Sequence, residues 1–293
     1  MIYRKKILLA LTEIFEGDLN ATDFQKLLFL FTEKQDSRNF DFIPYKFGCF
    51  SFQAMADKTA LIRDGYLSNS KNWKTTYENE SFLLSLKEND RKTLQRIKKS
   101  FKDYTTNELI HHIYTNFPYF AINSEIANDI LSEEEYMIVE KFKPVNESES
   151  LFTIGYEGRS IERYLNILIQ QNIKILCDVR KNPMSRKYGF AKRTLQNACE
   201  SVQIKYIHLP ELGIQGEKRQ TLNTQSDYDK LFADYEKNII PAESKALNLI
   251  HSLVKNYGRV ALTCYEESPN QCHRTRVANA INEIEETIPI KHL

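Results

Sequence analysis

Glycine is scarce in this sequence, with nine among 293 residues, so each one marks a place where the backbone has a special demand. Cysteine is also sparse and odd in number (Cys49, Cys177, Cys199, Cys264 and Cys272), which argues against a disulfide framework and predicts reduced thiols in a cytosol. No apolar run is long enough to span a bilayer. The opening MIYRKKILLALTEIF soon reaches Glu13 and Glu16 and lacks a small-residue cleavage site, so no signal peptide is expected. The cytoplasm is therefore the expected location, with no membrane partner. A Walker-type phosphate loop, a Gly-x-Gly-x-x-Gly fingerprint and a His-Glu-x-x-His motif are all missing. Those absences exclude the common kinase, nicotinamide dehydrogenase and zincin signatures.

What is present suits a globular chain. Hydrophobic residues make up 42% of it, and 16 Tyr and 17 Phe provide for a core. The length suggests two domains. Net charge is only +1, but it is unevenly spread. Lys87 to Lys102 holds seven basic and two acidic residues; Asp103 to Ser150 holds two basic and ten acidic; Arg180 to Arg193 holds six basic and none acidic. The near-neutral total hides two local basic patches.

Residues 3–16 show helical spacing, with Ile7, Leu8, Leu11 and Phe15 on one face. A second helix, FQKLLFLFTE, is expected to be capped by Thr22 or Asp23. An extended aromatic segment with Pro44 and Gly48 follows, then a third helix with Gly65 placed for a C-terminal cap. This arrangement predicts a mainly α, winged-helix-like domain over 1–135. Residues 136–150 read as a linker, because the chain turns acidic and then Ser/Glu-rich.

From 151 to 293, β and helical patterns alternate, which predicts an α/β domain whose parallel sheet is flanked by helices. Four strands are expected, in SLFTIGYEG, IKILCDVR, QIKYIHLP and RVALTCYE. A basic loop, KNPMSRKYGF, follows the second, and a polar loop runs from Glu211 to Ser226 after the third. Ligands of open parallel sheets bind beyond the strands' C-terminal ends. There the sequence places Tyr156 and Glu157, Asp178 and Arg180, His208, and Cys264 with Glu266, with Cys272-His273-Arg274 at the next helix start.

Each group has a chemical and a bland reading. Six cations without a counter-charge suit an anion, but also suit a solvated loop. Helix amides and arginine could lower the pKa of Cys272 to make a nucleophile, or the cysteines could be inert packing. The Cys264…Cys272-His273 spacing fits no common zinc pattern and shows no fourth ligand, so zinc is not expected. The acids Asp178, Glu266 and Glu157 could serve as general acid or base, hold a divalent metal, or orient Arg180 and Arg274. No cofactor is otherwise implied.

Two resemblances add to this. Gln25-Lys26-Leu27-Leu28, the run Tyr45 to Ser51, Leu61 to Leu67 and Glu108 to Pro118 make residues 1–125 similar to the SocA-like antitoxin (Panacea) family. That family has a Gly-Pro-Tyr-Ser-like turn where this chain has Gly48-Cys49-Phe50-Ser51. In the second half, Thr153-Ile154-Gly155-Tyr156, Asp178-Val179-Arg180, Pro183-x-Ser185, Phe190, Tyr206-x-His208, Leu212-Gly213 and Cys264-x-Glu266…Cys272-His273-Arg274 resemble the family called domain of unknown function 488. The Gly-His-Ser frequent there is Gly155-Tyr156-Glu157 here, so no role of that His or Ser carries over. The resemblance implies that Asp178, Arg180, Ser185, Arg186, His208, Glu266, Cys272, His273 and Arg274 share one pocket.

The expectation is an enzyme acting on a nucleotide or nucleic acid. Asp178, Glu266, His208, Cys272 and His273 would be catalytic. Tyr156, Arg180, Ser185, Arg186, Lys187, Tyr206 and Arg274 would hold substrate or phosphate. The N-terminal domain would recruit nucleic acid or a protein partner, with Lys87–Lys102 as a contact. The alternatives are a non-catalytic nucleotide or modified-base sensor, in a phage-defence or toxin–antitoxin setting, and an interaction protein whose basic patches meet protein partners.

Overall fold

A computed structural model describes residues 1–77, 80–216 and 224–293. The part of the Glu211–Ser226 loop at 217–223 lies outside the described residues. The chain divides into two compact units, Met1–Lys143 and Pro144–Leu293. No described helix is long and apolar enough to cross a membrane.

The first unit is mainly helical: α1 (Tyr3–Ile14), α2 (Ala21–Glu33), α3 (Phe52–Arg63), α4 (Glu88–Phe101), α5 (Thr106–Asn116), α6 (Ala127–Ile130) and α7 (Glu133–Glu140). It also holds two antiparallel pairs, β1 (Asp18–Leu19) with β4 (Trp73–Lys74), and β2 (Ile43–Tyr45) with β3 (Gly48–Phe50). The cap of α2 is Asn20 rather than Thr22 or Asp23, because the Asn20 side chain already accepts the Asp23 N–H. Gly65 ends α3 at φ +82°, a left-handed position that costs glycine little. The Gly48–Ser51 turn is held without proline. The Gln25 amide bonds both to the Ser51 N–H (2.9 Å) and to the Ser51 carbonyl (3.3 Å), and the Ser51 hydroxyl caps α3. The acidic stretch expected to begin a linker is helical over Glu133–Glu140, because Ser132 and Glu135 form a reciprocal capping box.

The second unit is built on β5 (Ser150–Gly155), α8 (Ile161–Gln170), β6 (Ile175–Asp178), α9 (Lys192–Glu200), β7 (Lys205–His208), α10 (Gln225–Asn238), α11 (Ser244–Tyr257), β8 (Arg259–Cys264), α12 (His273–Ile284) and β9 (Ile290–His292). The five strands form one parallel sheet in the order β7-β6-β8-β5-β9. β9 was not among the four strands expected; three residues give no readable alternation, and the strand exists by pairing with β5.

Side chains alternate between the faces of a strand. Cys177, Val179, Val260 and Leu262 share a core with Tyr235 of α10, Ile250 of α11 and Val277 of α12. Thr263 points the other way, where its hydroxyl accepts a bond from Tyr164 of α8 (2.7 Å). Parity therefore puts Tyr156, Asp178 and Tyr206 on the α8 face, and Cys264 on the α12 face. β5 leads to β6 across β8, and β8 leads to β9 across β5. Crossovers that leave neighbouring strands in opposite directions open a crevice at their C-terminal ends.

Candidate active site

The crevice is a cleft of about 910 Å³, lined among others by Tyr156, Arg180, Lys181, Ser185, Arg186, Tyr265, Glu266 and His273. That volume accommodates a nucleotide-sized ligand. Two polar clusters border it, one on each face of the sheet.

On the α8 face the centre is Asp178, which is fully buried. Its carboxylate accepts Arg180 Nε at 2.8 Å, Arg180 Nη2 at 2.5 Å and the Tyr206 hydroxyl at 2.6 Å. Arg180 Nη1 donates to the Tyr156 hydroxyl and to the Phe190 carbonyl, each at 2.9 Å. Four of the five guanidinium N–H groups are thus bound by the protein. Burial opposes the Arg180 charge, but pairing with Asp178 outweighs it and raises the pKa. The Tyr156 ring lies under this guanidinium and stacks on Phe190 at 4.3 Å. Burial and Asp178 push the Tyr206 phenol well up, so it stays a donor. His208 Nε2 donates to the Arg180 carbonyl (2.9 Å) and Nδ1 accepts from Lys192 (3.0 Å). Both ring nitrogens hold the loop after β6 in place.

On the α12 face, Cys264, Cys272 and His273 are buried together, at 2%, 0% and 1% exposure. His273 Nε2 donates to the Val179 carbonyl at 2.9 Å, which leaves Nδ1 as the acceptor nitrogen. Nδ1 faces Cys264 Sγ at 3.7 Å and Cys272 Sγ at 3.9 Å. The Cys264 thiol donates to Glu266 Oε2 at 3.3 Å. Burial, then Cys264, push the Cys272 thiol well above its ordinary pKa. The shift runs opposite to that expected from a helix terminus and Arg274, because desolvation of a wholly buried thiolate is the larger effect.

Arg274 is also buried, and it does not reach the cleft as a phosphate ligand. Its Nη1 and Nη2 donate to the backbone carbonyls of Glu266 (2.5 Å) and Glu267 (2.9 Å). It thereby fixes the turn that carries Glu266. Gly155 lets that turn approach, since a Cβ there would lie 1.8 Å from the Glu266 carbonyl oxygen. Gly213 does the same for the opposite rim, where a Cβ would meet the Lys181 amide at 2.0 Å.

Of the basic loop, Lys181 and Arg186 are exposed at the cleft, and neither has a carboxylate partner among the described residues. Lys187 instead bends back to the Tyr156 carbonyl (2.9 Å), and burial lowers its pKa. Ser185 accepts the Lys187 N–H at 3.2 Å. The sequence-based site is thus brought together as a unit: Asp178, Tyr206, His208 and Arg274 build the walls, Arg180 is bonded into the wall and also borders the cleft, and Tyr156, Ser185, Arg186, Glu266 and His273 face it. Tyr265 and Gln215, which also line it, carry no sequence signal that would have singled them out.

Comparison with known proteins bears on this unit alone. No curated protein and no solved structure matches the chain. The match leaves residues 1–159 outside it, and residues 160–281, from α8 through most of α12, match the model of a family described as Domain of unknown function DUF488.

Proposed function

We propose that the second unit is an enzyme acting on a phosphate-bearing substrate, a nucleotide or nucleic acid, in the strand-end cleft. The observation that carries this reading is the pair Lys181 and Arg186, two exposed cations without a carboxylate partner among the described residues, on the rim of a cleft that Glu266 and His273 also line. Arginine and lysine at a cleft mouth concentrate anions, and Arg186 can grip a phosphate bidentately. Glu266 is the general base or acid, as the carboxylate that lines the cleft among the described residues. Asp178, Arg180, Tyr206 and His208 are positioning residues: they hold the loop that presents Lys181 and Arg186. Tyr156, with Ser185, forms the wall against which a base or sugar would rest.

The first unit recruits nucleic acid or a protein partner in this reading. Lys92, Arg96 and Lys99 are exposed on α4 at i, i+4 and i+7, so they form one basic stripe. The resemblance of residues 1–125 to antitoxin-like proteins, and the winged-helix-like arrangement expected from their sequence, would fit a regulatory or defence setting. The sensor reading shares the ligand and differs only in turnover.

The test is a turnover screen of the full chain on nucleotides and on single- and double-stranded DNA and RNA, with Glu266→Gln as control. The enzyme reading expects hydrolysis or transfer that Glu266→Gln lowers by about 100-fold or more, with ligand affinity retained. Tight binding without turnover in the wild type would assign the protein to the sensor class.

A further inference from the structure

Cys264 ends β8, Cys272 precedes α12, and His273 opens it. In sequence they are separated by seven residues and fit no familiar spacing, yet the fold brings their ligand atoms within 4.8 Å of one another. The arrangement has the dimensions of a metal site. Bonds of about 2.3 Å to sulfur and 2.0–2.1 Å to nitrogen at tetrahedral angles put a sulfur and a nitrogen ligand about 3.6 Å apart. The two sulfur-to-Nδ1 distances are 3.7 and 3.9 Å.

The surroundings are built in the way metal-binding histidines require. The second ring nitrogen of His273 donates to the Val179 carbonyl, which fixes the tautomer and aims Nδ1 at the sulfurs. The Tyr235 ring packs edge-on against the imidazole. Arg274 and Gly155 set the turn from Cys264 to Glu267 from either side. Two thiolates and an imidazole select a soft or borderline ion, and of these zinc suits a site with mixed sulfur and nitrogen ligands. Three protein ligands converge inside the wall among the described residues, and Cys264 and His273 also border the cleft. Glu266 stands on that side, two residues after the first ligand.

We propose that Cys264, Cys272 and His273 bind a zinc ion whose fourth position opens onto the cleft, where Glu266 takes a proton from zinc-bound water. The metal site stands on its own geometry; only the role given to Glu266 rests on the function proposed above. In the step itself, one O–H bond of the bound water breaks. The proton passes to the Glu266 carboxylate, and a zinc-bound hydroxide faces the ligand in the cleft. Hydrolysis is the class of reaction this supplies. The hydroxide oxygen bonds to the electrophilic carbon or phosphorus of the substrate, and the leaving group departs with its bonding pair and receives the proton from Glu266.

The test uses the full chain, stripped with a chelator and reconstituted with Zn²⁺ or Co²⁺. The expected result is a single equivalent of metal per chain. The cobalt form should show a thiolate-to-metal charge-transfer band in the near ultraviolet and intense four-coordinate bands in the visible. Cys272→Ser should lose both. If that variant does not fold, the wild-type spectrum decides, because a cobalt form without the thiolate band overturns the site. Glu266→Gln should keep stoichiometry and thiolate band; metal affinity falling more than about 100-fold would make Glu266 a ligand and overturn the open position. No bound zinc after reconstitution, or a Cys264–Cys272 disulfide in the freshly purified protein, would overturn the proposal. Intact metal binding without nucleotide or nucleic-acid turnover would leave the zinc site standing and count only against the substrate reading.

Discussion

Asp178 and Arg180 form a buried ion pair at the site. Both are buried, and each is the other's counter-charge. Removing one partner of such a pair leaves an uncompensated charge in low dielectric, which costs about 3–5 kcal/mol. Asp178→Asn should therefore lower the unfolding free energy by that order, as read from denaturation curves, and a variant with wild-type stability would show that the pair is not structural. Arg180→Lys should not substitute well, since an ammonium lacks the fork that reaches both carboxylate oxygens. The residue types of this site were legible in the sequence, because strand-end polar residues stand out against apolar strands. Their division of labour was not. Whether an arginine faces a ligand or a carboxylate depends on the pleat of β6 and on Tyr206 and Phe190, which come from elsewhere in the chain. The grouping of Cys264, Cys272 and His273 was legible, but its geometry was not: α12 folds back over the end of β8, and spacing along the chain does not report how close that return brings the three ligand atoms.

At the scale of elements, the sequence announced long, periodic helices and apolar strands, and missed the short pieces that only pairing creates, such as β9. Helix α2 poses a separate problem. Lys26 is 2% exposed and its Nζ donates to the Cys49 carbonyl at 3.3 Å. Burial lowers its pKa from the ordinary value of 10.5, with Cys49 and Asp23 opposing the shift. The unfolded chain therefore binds the proton more tightly than the folded one. Between the lowered folded value and 10.5, the unfolded state holds more protons, so this group's contribution to stability improves as pH rises. Lys26→Met keeps the length and removes the charge. It should stabilise the protein at pH 7, and the advantage over wild type should shrink as pH approaches 10, as read from paired denaturation curves. A constant difference across that range would place the effect in packing rather than in charge.

At the scale of the whole molecule, the two units divide between Lys143 and Pro144. The segment before β5 is tied into the second unit through Arg259, which is 1% exposed. Arg259 Nη1 donates to Asn146 Oδ1 (3.2 Å) and to the Ser148 carbonyl (3.1 Å), and Nε to the Gln171 carbonyl. A fragment beginning at Pro144 should accordingly be more stable than one beginning at Leu151. Loss of two bonds from a buried cation costs about 1–3 kcal/mol. Equal thermal midpoints for the two fragments would contradict that role for 144–150. The uneven charge of the chain has its counterpart here too: Lys181 and Arg186 from the basic stretch of the second unit stand on the rim of its cleft, while the basic stretch of the first lies along α4.

The most direct measurement of the central claim is binding of fluorescent nucleotides and of single-stranded DNA and RNA across a salt series, comparing the wild type with Lys181→Ala/Arg186→Ala. Both residues are exposed and pair with no carboxylate among the described residues, so the double variant should fold as the wild type does. Wild-type affinity should fall steeply with salt, and the double variant should bind more weakly with a shallower slope. Equal affinities and slopes for the two proteins, or no binding by the wild type at low salt, would contradict a phosphate-binding cleft.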